Sequence, residues 1–259
     1  MLTRNRAFLG ALAGLALAFA SPYQAAAQAA PQGVKNIVFV HGAFADGSSW
    51  AKVIPLLEAK GYHVTAVQNP LTSLADDVAA TKRALAQQDG PVLLVGHSWG
   101  GMVISDAGTD PKVAGLVYVA AAAPDPNQSL GELTKDAPTP GLKKIKADAG
   151  FLSMTPQGIN EDFAQDLTPT ERKVIIATQQ PVAAAAFGEK MATVAWQTKP
   201  SWYIVAANDH MISPALEQAM AKKIKATTLT LQASHVPMLA QPQKVADFIA
   251  EAAKKAPAK

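Results

Sequence analysis

From Lys35 onward the chain alternates two kinds of segment. Short β-branched runs at 36–40, 63–67, 92–95, 116–119, 202–205 and 227–231 read as buried parallel strands. Amphipathic stretches suited to helices lie between most of them. The stretch 49–60 stops at Gly61, a helix-ending residue. The stretch 74–88 follows Ser73, a side chain that caps helix starts, and ends before Asp89-Gly90-Pro91. Segments 102–108, 214–223 and 242–254 complete the set, with Pro214 at a helix start where its missing N–H does no harm. Strand–helix alternation predicts an α/β protein with a mostly parallel sheet covered by helices on both faces.

One region breaks the alternation. Between 124 and 199 there is no clear strand, and the Pro clusters Pro124-Asp125-Pro126 and Pro138-Thr139-Pro140 fall here. Short helical patterns at 170–178 and 183–191 predict a helical cap over one edge of the sheet, since a long insertion in a compact domain is usually functional. Phe151, Phe163, Phe187 and Trp196 indicate that it packs, and together with Phe44 they are the candidate pocket residues.

The first thirty residues follow a different plan. Arg4 and Arg6 precede an apolar run of 14 residues, 7–20, and an alanine-rich stretch in which Ala25-x-Ala27 or Ala27-x-Ala29 suits a signal peptidase. The run is shorter than the ~20 residues that span a bilayer. Residues 1–29 are therefore expected to be a signal peptide, and residues 30–259 an exported domain, periplasmic or secreted, with no membrane attachment after cleavage.

A length of 259 residues with 49% hydrophobic positions is ample for one α/β domain. The absence of cysteine excludes a disulfide scaffold, thiolate metal sites and a cysteine nucleophile. The formal charge of +3 falls to +1 without Arg4 and Arg6, and no basic cluster stands out, so nucleic acid is not an expected partner. No His, Asp or Glu cluster has metal-ligand spacing, and no glycine pattern suits a phosphate, so neither a metal nor a nucleotide cofactor is expected.

The chemistry concentrates in Gly96-His97-Ser98-Trp99-Gly100-Gly101, which follows the strand at 92–95 and opens a helix. A G-x-S-x-G turn in that context lifts a serine out of the sheet on a strained backbone, at the positive end of a helix. Ser98 is thus the candidate nucleophile. Among the five histidines, His97 sits too close in sequence to reach Ser98, His63 is inside a strand, and His41 and His210 belong to loops. His235 follows the last strand, where parallel sheets assemble their sites, and is the candidate base. Asp209 and Asp125 both lie past strand ends between Ser98 and His235 in the chain. Asp209 is favoured as the orienting acid because its strand immediately precedes that of His235; Asp125 is the alternative, or else a helix cap. In His41-Gly42-Ala43-Phe44, the Ala43 amide pairs with the Trp99 amide as the candidate oxyanion hole.

These motifs resemble the α/β-hydrolase superfamily. Val38-Phe39-Val40-His41-Gly42-Ala43-Phe44-Ala45-Asp46-Gly47-Ser48-Ser49-Trp50 is similar to its oxyanion loop. The segments 67–78 and 92–101 resemble, more narrowly, bacterial carboxylesterases of the pyrethroid-hydrolase type, and the likeness continues through 111–126 and 201–242. The resemblance implies a nucleophile at Ser98, an acid at Asp209, a base at His235 and oxyanion amides at Ala43 and Trp99. Such esterases commonly carry Tyr where Trp99 stands, a difference that bears on pocket shape alone. The implied activity is cofactor-free hydrolysis of carboxylic esters through an acyl-enzyme; the substrate itself is not inherited from the resemblance, and it is the apolar cap that suggests a small or medium hydrophobic ester. The alternatives are a lactonase, C–C hydrolase or perhydrolase using the same triad, or a ligand-binding protein on the same fold.

Overall fold

The computed structural model describes residues 32–258; the expected signal segment, 1–29, lies outside them. The chain runs β1 (Asn36–Val40), a 3-10 turn (Gly47–Trp50), α1 (Ile54–Glu58), β2 (His63–Ala66), α2 (Leu74–Ala86), β3 (Val92–His97), α3 (Gly100–Ala107) and β4 (Val113–Val119). After an insertion described below, it continues through β8 (Ser201–Ala206), α7 (Pro214–Lys223), β9 (Thr227–Leu231), α8 (Pro237–Ala240) and α9 (Pro242–Lys255). The six strands form one sheet in the order β2-β1-β3-β4-β8-β9, every pair parallel.

Burial explains the sequence pattern. Every residue of β1, β3, β4 and β8 is buried, as strands covered on both faces must be, whereas the edge strands β2 and β9 show partly exposed positions. On α9, Val245, Ala246, Ile249, Ala250, Ala252 and Ala253 form the apolar stripe that seats the helix. Ser73 caps α2 by accepting the Asp76 N–H at 3.0 Å. The expected helix at 49–60 is instead the 3-10 turn followed by the short α1. Pro55 lies mid-segment, where it cannot donate to a continuing helix, so a helix can only begin around it.

The insertion corrects the expectation of a purely helical cap. It contains α4 (Leu130–Thr134), β5 (Ile145–Asp148), β6 (Phe151–Met154), α5 (Pro156–Gly158), a π-helical turn (Ile159–Phe163), α6 (Pro169–Thr178) and β7 (Val182–Ala183). The three strands make a small antiparallel sheet, β5-β6-β7. The β5–β6 hairpin turns at Ala149 (φ 46°) and Gly150 (φ 85°), two consecutive positive values as in a type I′ turn. Ala149 stands where Asn, Asp or Gly would have announced that turn. α4 and α6 each begin with a capping box, Ser129/Glu132 and Thr168/Glu171.

The cap is tied to the loops that end the sheet strands. Gly141 donates its N–H to the His210 carbonyl at 2.9 Å, and Thr139 its hydroxyl to the Met211 carbonyl at 3.0 Å. Asp166 accepts the Ser234 N–H at 2.7 Å, and Lys52 pairs with Glu171 at the start of α6. β1 and β3 are sheet neighbours although β2 lies between them in the chain, so the chain direction across the sheet reverses there. Sites form outside the carboxyl ends of the strands at such a point.

Candidate active site

The β3–α3 turn holds Ser98 at φ 52°, a left-handed backbone that a non-glycine residue adopts only under strain. The tight turn needs bare glycine on either side. A Cβ on Gly96 would lie 2.6 Å from the Gly100 carbonyl oxygen, and one on Gly100 would lie 2.6 Å from that of Val40. The Ser98 side chain thus stands at the mouth of the sheet, half-buried, above the N-terminus of α3.

His235 meets it from the loop after β9. Its Nε2 lies 2.8 Å from Ser98 Oγ, and its Nδ1 lies 2.5 Å from Asp209 Oδ2. An ionised carboxylate only accepts, so Nδ1 carries the hydrogen and Nε2 is left to accept from the serine hydroxyl. Asp209 is itself fixed: its Oδ1 accepts the Met211 N–H at 2.6 Å and the Ile212 N–H at 2.9 Å. Both His235 and Asp209 are almost fully buried. The ring of Phe163, from the cap, stands edge-on to the imidazole with centroids 5.2 Å apart.

Asp125 is not part of this group, a correction to its place as alternative acid. It is half-exposed and pairs with Lys223 at 3.1 Å. Nor does it cap the first cap helix; Ser129 does that. The other histidines have local partners. His41 Nδ1 donates to the Gly42 carbonyl and its Nε2 accepts the Asn69 N–H, both at 2.9 Å, which ties the 41–44 loop to the segment after β2. His97 contacts the His235 carbonyl. His210 is partly exposed and pairs with Asp162 at 3.1 Å. His63 lies exposed on the edge strand β2.

Ala43 and Trp99 line one cavity with Ser98 and His235. Among the described residues, neither backbone N–H donates to a protein acceptor, so both are available to an oxygen placed beside Ser98. Phe44, next to Ala43, has φ 60°, so the loop turns sharply where it passes the serine. Sequence reasoning did not single out Asp77, which anchors Trp99. Its Oδ2 accepts the indole N–H at 2.8 Å and its Oδ1 the Leu71 N–H at 2.8 Å. Asp77 gives no sign of this in the sequence, where it reads as an ordinary acidic residue in the first turn of a helix.

The cavity at Ser98 measures about 80 Å³ and is mainly apolar, with Leu130, Leu142, Ile145, Phe187 and Ile212 in its wall. A second cavity of about 160 Å³ adjoins it, lined by Leu167, Val174, Ile175, Val236 and Leu239. Phe44 and Phe163 belong to both walls. The candidate pocket residues therefore divide. Phe44, Phe163 and Phe187, the last packed on Trp99 at 5.5 Å, face the cavities. Phe151 does not: it lies at the hairpin tip and is 41% exposed. Nor does Trp196, whose indole N–H donates to the Pro124 carbonyl at 2.8 Å and whose ring lies under Lys223. Trp196 joins the cap to the core.

Among the described residues, no group of three or more His, Asp or Glu side chains is placed to hold a metal ion, and no helix is long and apolar enough to cross a membrane.

Residues 37–248 match the model of the alpha/beta hydrolase family. A pyrethroid hydrolase of Sphingobium wenxiniae is 29% identical over 84% of this chain and 87% of its own. Methylesterase 2 of Arabidopsis thaliana is 26% identical over 83% and 94% respectively. The crystal structure of a pyrethroid hydrolase from Sphingobium faniae superposes with a TM-score of 0.73, at 26% identity over 86% of this chain and 98% of that one. The strained serine turn, the parallel sheet that carries it and a family match spanning most of the chain lead to one assignment: the protein belongs to the alpha/beta hydrolase family.

Proposed function

We propose that the protein is a serine hydrolase that cleaves carboxylic esters of small to medium hydrophobic substrates through an acyl-enzyme. The observation that carries this reading is the continuous relay from Ser98 Oγ to His235 Nε2, at 2.8 Å, and from His235 Nδ1 to Asp209 Oδ2, at 2.5 Å. Relatives named as a pyrethroid hydrolase and a methylesterase support ester chemistry.

Ser98 attacks the ester carbonyl as His235 takes its proton. Negative charge gathers on the carbonyl oxygen, where the Ala43 and Trp99 amides receive it. His235 passes the proton to the departing alcohol, and the acyl group stays on Ser98. Water then enters and bonds to the acyl carbon as His235 takes its proton; the acyl carbon–Oγ bond breaks, His235 returns the proton to Ser98 Oγ, and the acid leaves. Asp209 holds the imidazole in the tautomer this sequence needs and stabilises its charged form. The groups the protein contributes to these steps are side chains and backbone amides, and water is the second substrate.

Substrate size follows from the two cavities. One apolar part of the ester occupies the space beside Ser98, and the larger compartment beyond Phe44 and Phe163 takes a further apolar group. A series of p-nitrophenyl esters of increasing acyl length tests this, with Ser98→Ala as control. Hydrolysis that depends on Ser98 supports the reading; equal rates in the variant count against it.

The layout of residues 1–29 further supports export, with the domain at 30–259 released to the periplasm or medium. Expression of the full chain in a bacterial host, followed by N-terminal sequencing of the periplasmic fraction, tests it. A mature N-terminus near residue 28 or 30 is expected; an uncleaved cytoplasmic chain would contradict it.

A further inference from the structure

Behind the relay lies a second carboxyl group that the mechanism does not use. Glu217, in the first turns of α7, is fully buried. Its Oε2 accepts the Ala206 N–H at 3.0 Å, at the end of β8, three residues before Asp209. Its Oε1 is buried with no donor, while the carboxyl group lies against that of Asp209. Among the described residues, no Lys, Arg or His pairs with Glu217. The ionisable groups facing it are Asp209 from the β8–α7 loop and Tyr203 from β8, with His235 beyond Asp209.

Two ionised carboxylates offer each other only acceptors. Side by side, away from water and without a cation, both cannot hold their charge. One proton resolves both problems: it removes one charge and gives Oε1 a partner. Asp209 is the member that stays ionised, because its oxygens already receive three donors, from Met211, Ile212 and His235. Glu217 receives a single N–H. Burial, followed by the neighbouring Asp209 charge, holds the Glu217 carboxyl well above the usual carboxylate range.

We propose that Glu217 is a positioning residue that carries a proton, donates it in a hydrogen bond to the Asp209 carboxylate, and so holds that carboxylate on His235. This rests on the roles of Ser98, His235 and Asp209 given above. The fourth donor spreads the Asp209 charge and tempers its hold on the imidazolium, so Glu217 bears on the pH dependence of the reaction. In the sequence Glu217 is indistinguishable from an acidic residue favoured near a helix start.

The test compares wild type with Glu217→Gln and Glu217→Met in the pH profile of kcat/KM for a p-nitrophenyl ester. The Gln carboxamide can still accept from Ala206 and donate to Asp209, so its acid limb should stay near that of wild type. Met has no donor; Asp209 then binds the imidazolium more strongly, and the limb should move about 0.5 to 1 unit to higher pH. A limb that falls in Glu217→Gln would mean that Glu217 is ionised, and one unmoved in Glu217→Met would mean that it only fills space. Either overturns the proposal.

Two further readouts do not depend on activity or on Glu217→Met folding. The infrared difference between wild type and Glu217→Gln at pH 7 should contain the carbonyl stretch of a protonated carboxylic acid; a carboxylate signature in its place refutes the assignment. In the unfolded chain Glu217 ionises above about pH 4.3, whereas the folded chain keeps the proton, so wild type loses stability as pH rises. Glu217→Gln should therefore gain in urea midpoint over wild type between pH 5 and 8. A constant difference would contradict the protonated state. If these two hold while no ester is hydrolysed, the functional reading fails and the carboxyl pair stands.

Discussion

The ring of His97 donates from Nε2 to the backbone carbonyl of His235 at 2.8 Å, so the residue beside the serine holds the loop that carries its partner. The remaining nitrogen, Nδ1, is buried and without a partner, and the two imidazole centroids are 4.8 Å apart. A proton on Nδ1 would find no acceptor. Burial above all, and the nearby His235 ring next, keep His97 neutral by pushing its pKa well below the usual histidine value.

That neutrality makes stability depend on pH. Below about 6.5 the unfolded chain protonates this histidine and the folded chain does not, so the unfolded state binds more protons and stability falls as pH falls. Glu217 and Asp77 have raised values and act in the opposite direction, so the comparison must isolate His97. The stability of wild type relative to His97→Gln, from urea unfolding, should shrink steadily from pH 7 to pH 5. An unchanging or growing difference would show that His97 titrates normally in the fold.

Asp209 and Asp125 should separate cleanly in kinetics. Asp209→Asn removes the acceptor that selects the His235 tautomer and should lower kcat by about 10⁴-fold with little change in Tm. Asp125→Asn breaks only an exposed pair with Lys223, of a kind that contributes little, and should keep nearly full turnover. Comparable losses in the two variants would remove Asp209 from its role.

Much of the fold was legible because the sheet obeys local rules. Strands 36–40 and 227–231 and helix 214–223 have the same bounds in sequence and structure, since β-branched runs mark the strands and Pro214 marks the helix start. Ser98 and His235 were legible for a related reason: a G-x-S-x-G turn and a strand end each fix a position before tertiary packing is known. The cap was not. Its strands are only two to four residues long and half-exposed, so neither periodicity nor burial distinguishes them. Trp196 and Phe151 show the same limit, for an aromatic residue in the cap can plug a seam, face water or line a pocket with an identical local sequence. Asp77 and Glu217 lie in ordinary first-turn positions, and only packing against Trp99 and Asp209 sets them apart.

The cap aromatics yield a selectivity prediction. Phe163 stands between the two cavities, so Phe163→Ala joins them and should raise the long-chain to short-chain ester rate ratio by about tenfold, the scale of an apolar contact in a pocket. Phe187→Ala should also change this ratio, through the wall beside Trp99. Phe151→Ala and Trp196→Ala should leave it within about twofold. A ratio unmoved in Phe163→Ala and Phe187→Ala would place substrate selection elsewhere.

The central claim is that Ser98 forms the covalent bond to substrate. It is tested most directly by reacting the protein with a fluorophosphonate and locating the adduct by peptide mass mapping. A single adduct on Ser98, formed as ester hydrolysis disappears and absent from His235→Ala, is the predicted result. An adduct on another residue, or full hydrolysis by protein labelled completely at Ser98, would contradict it.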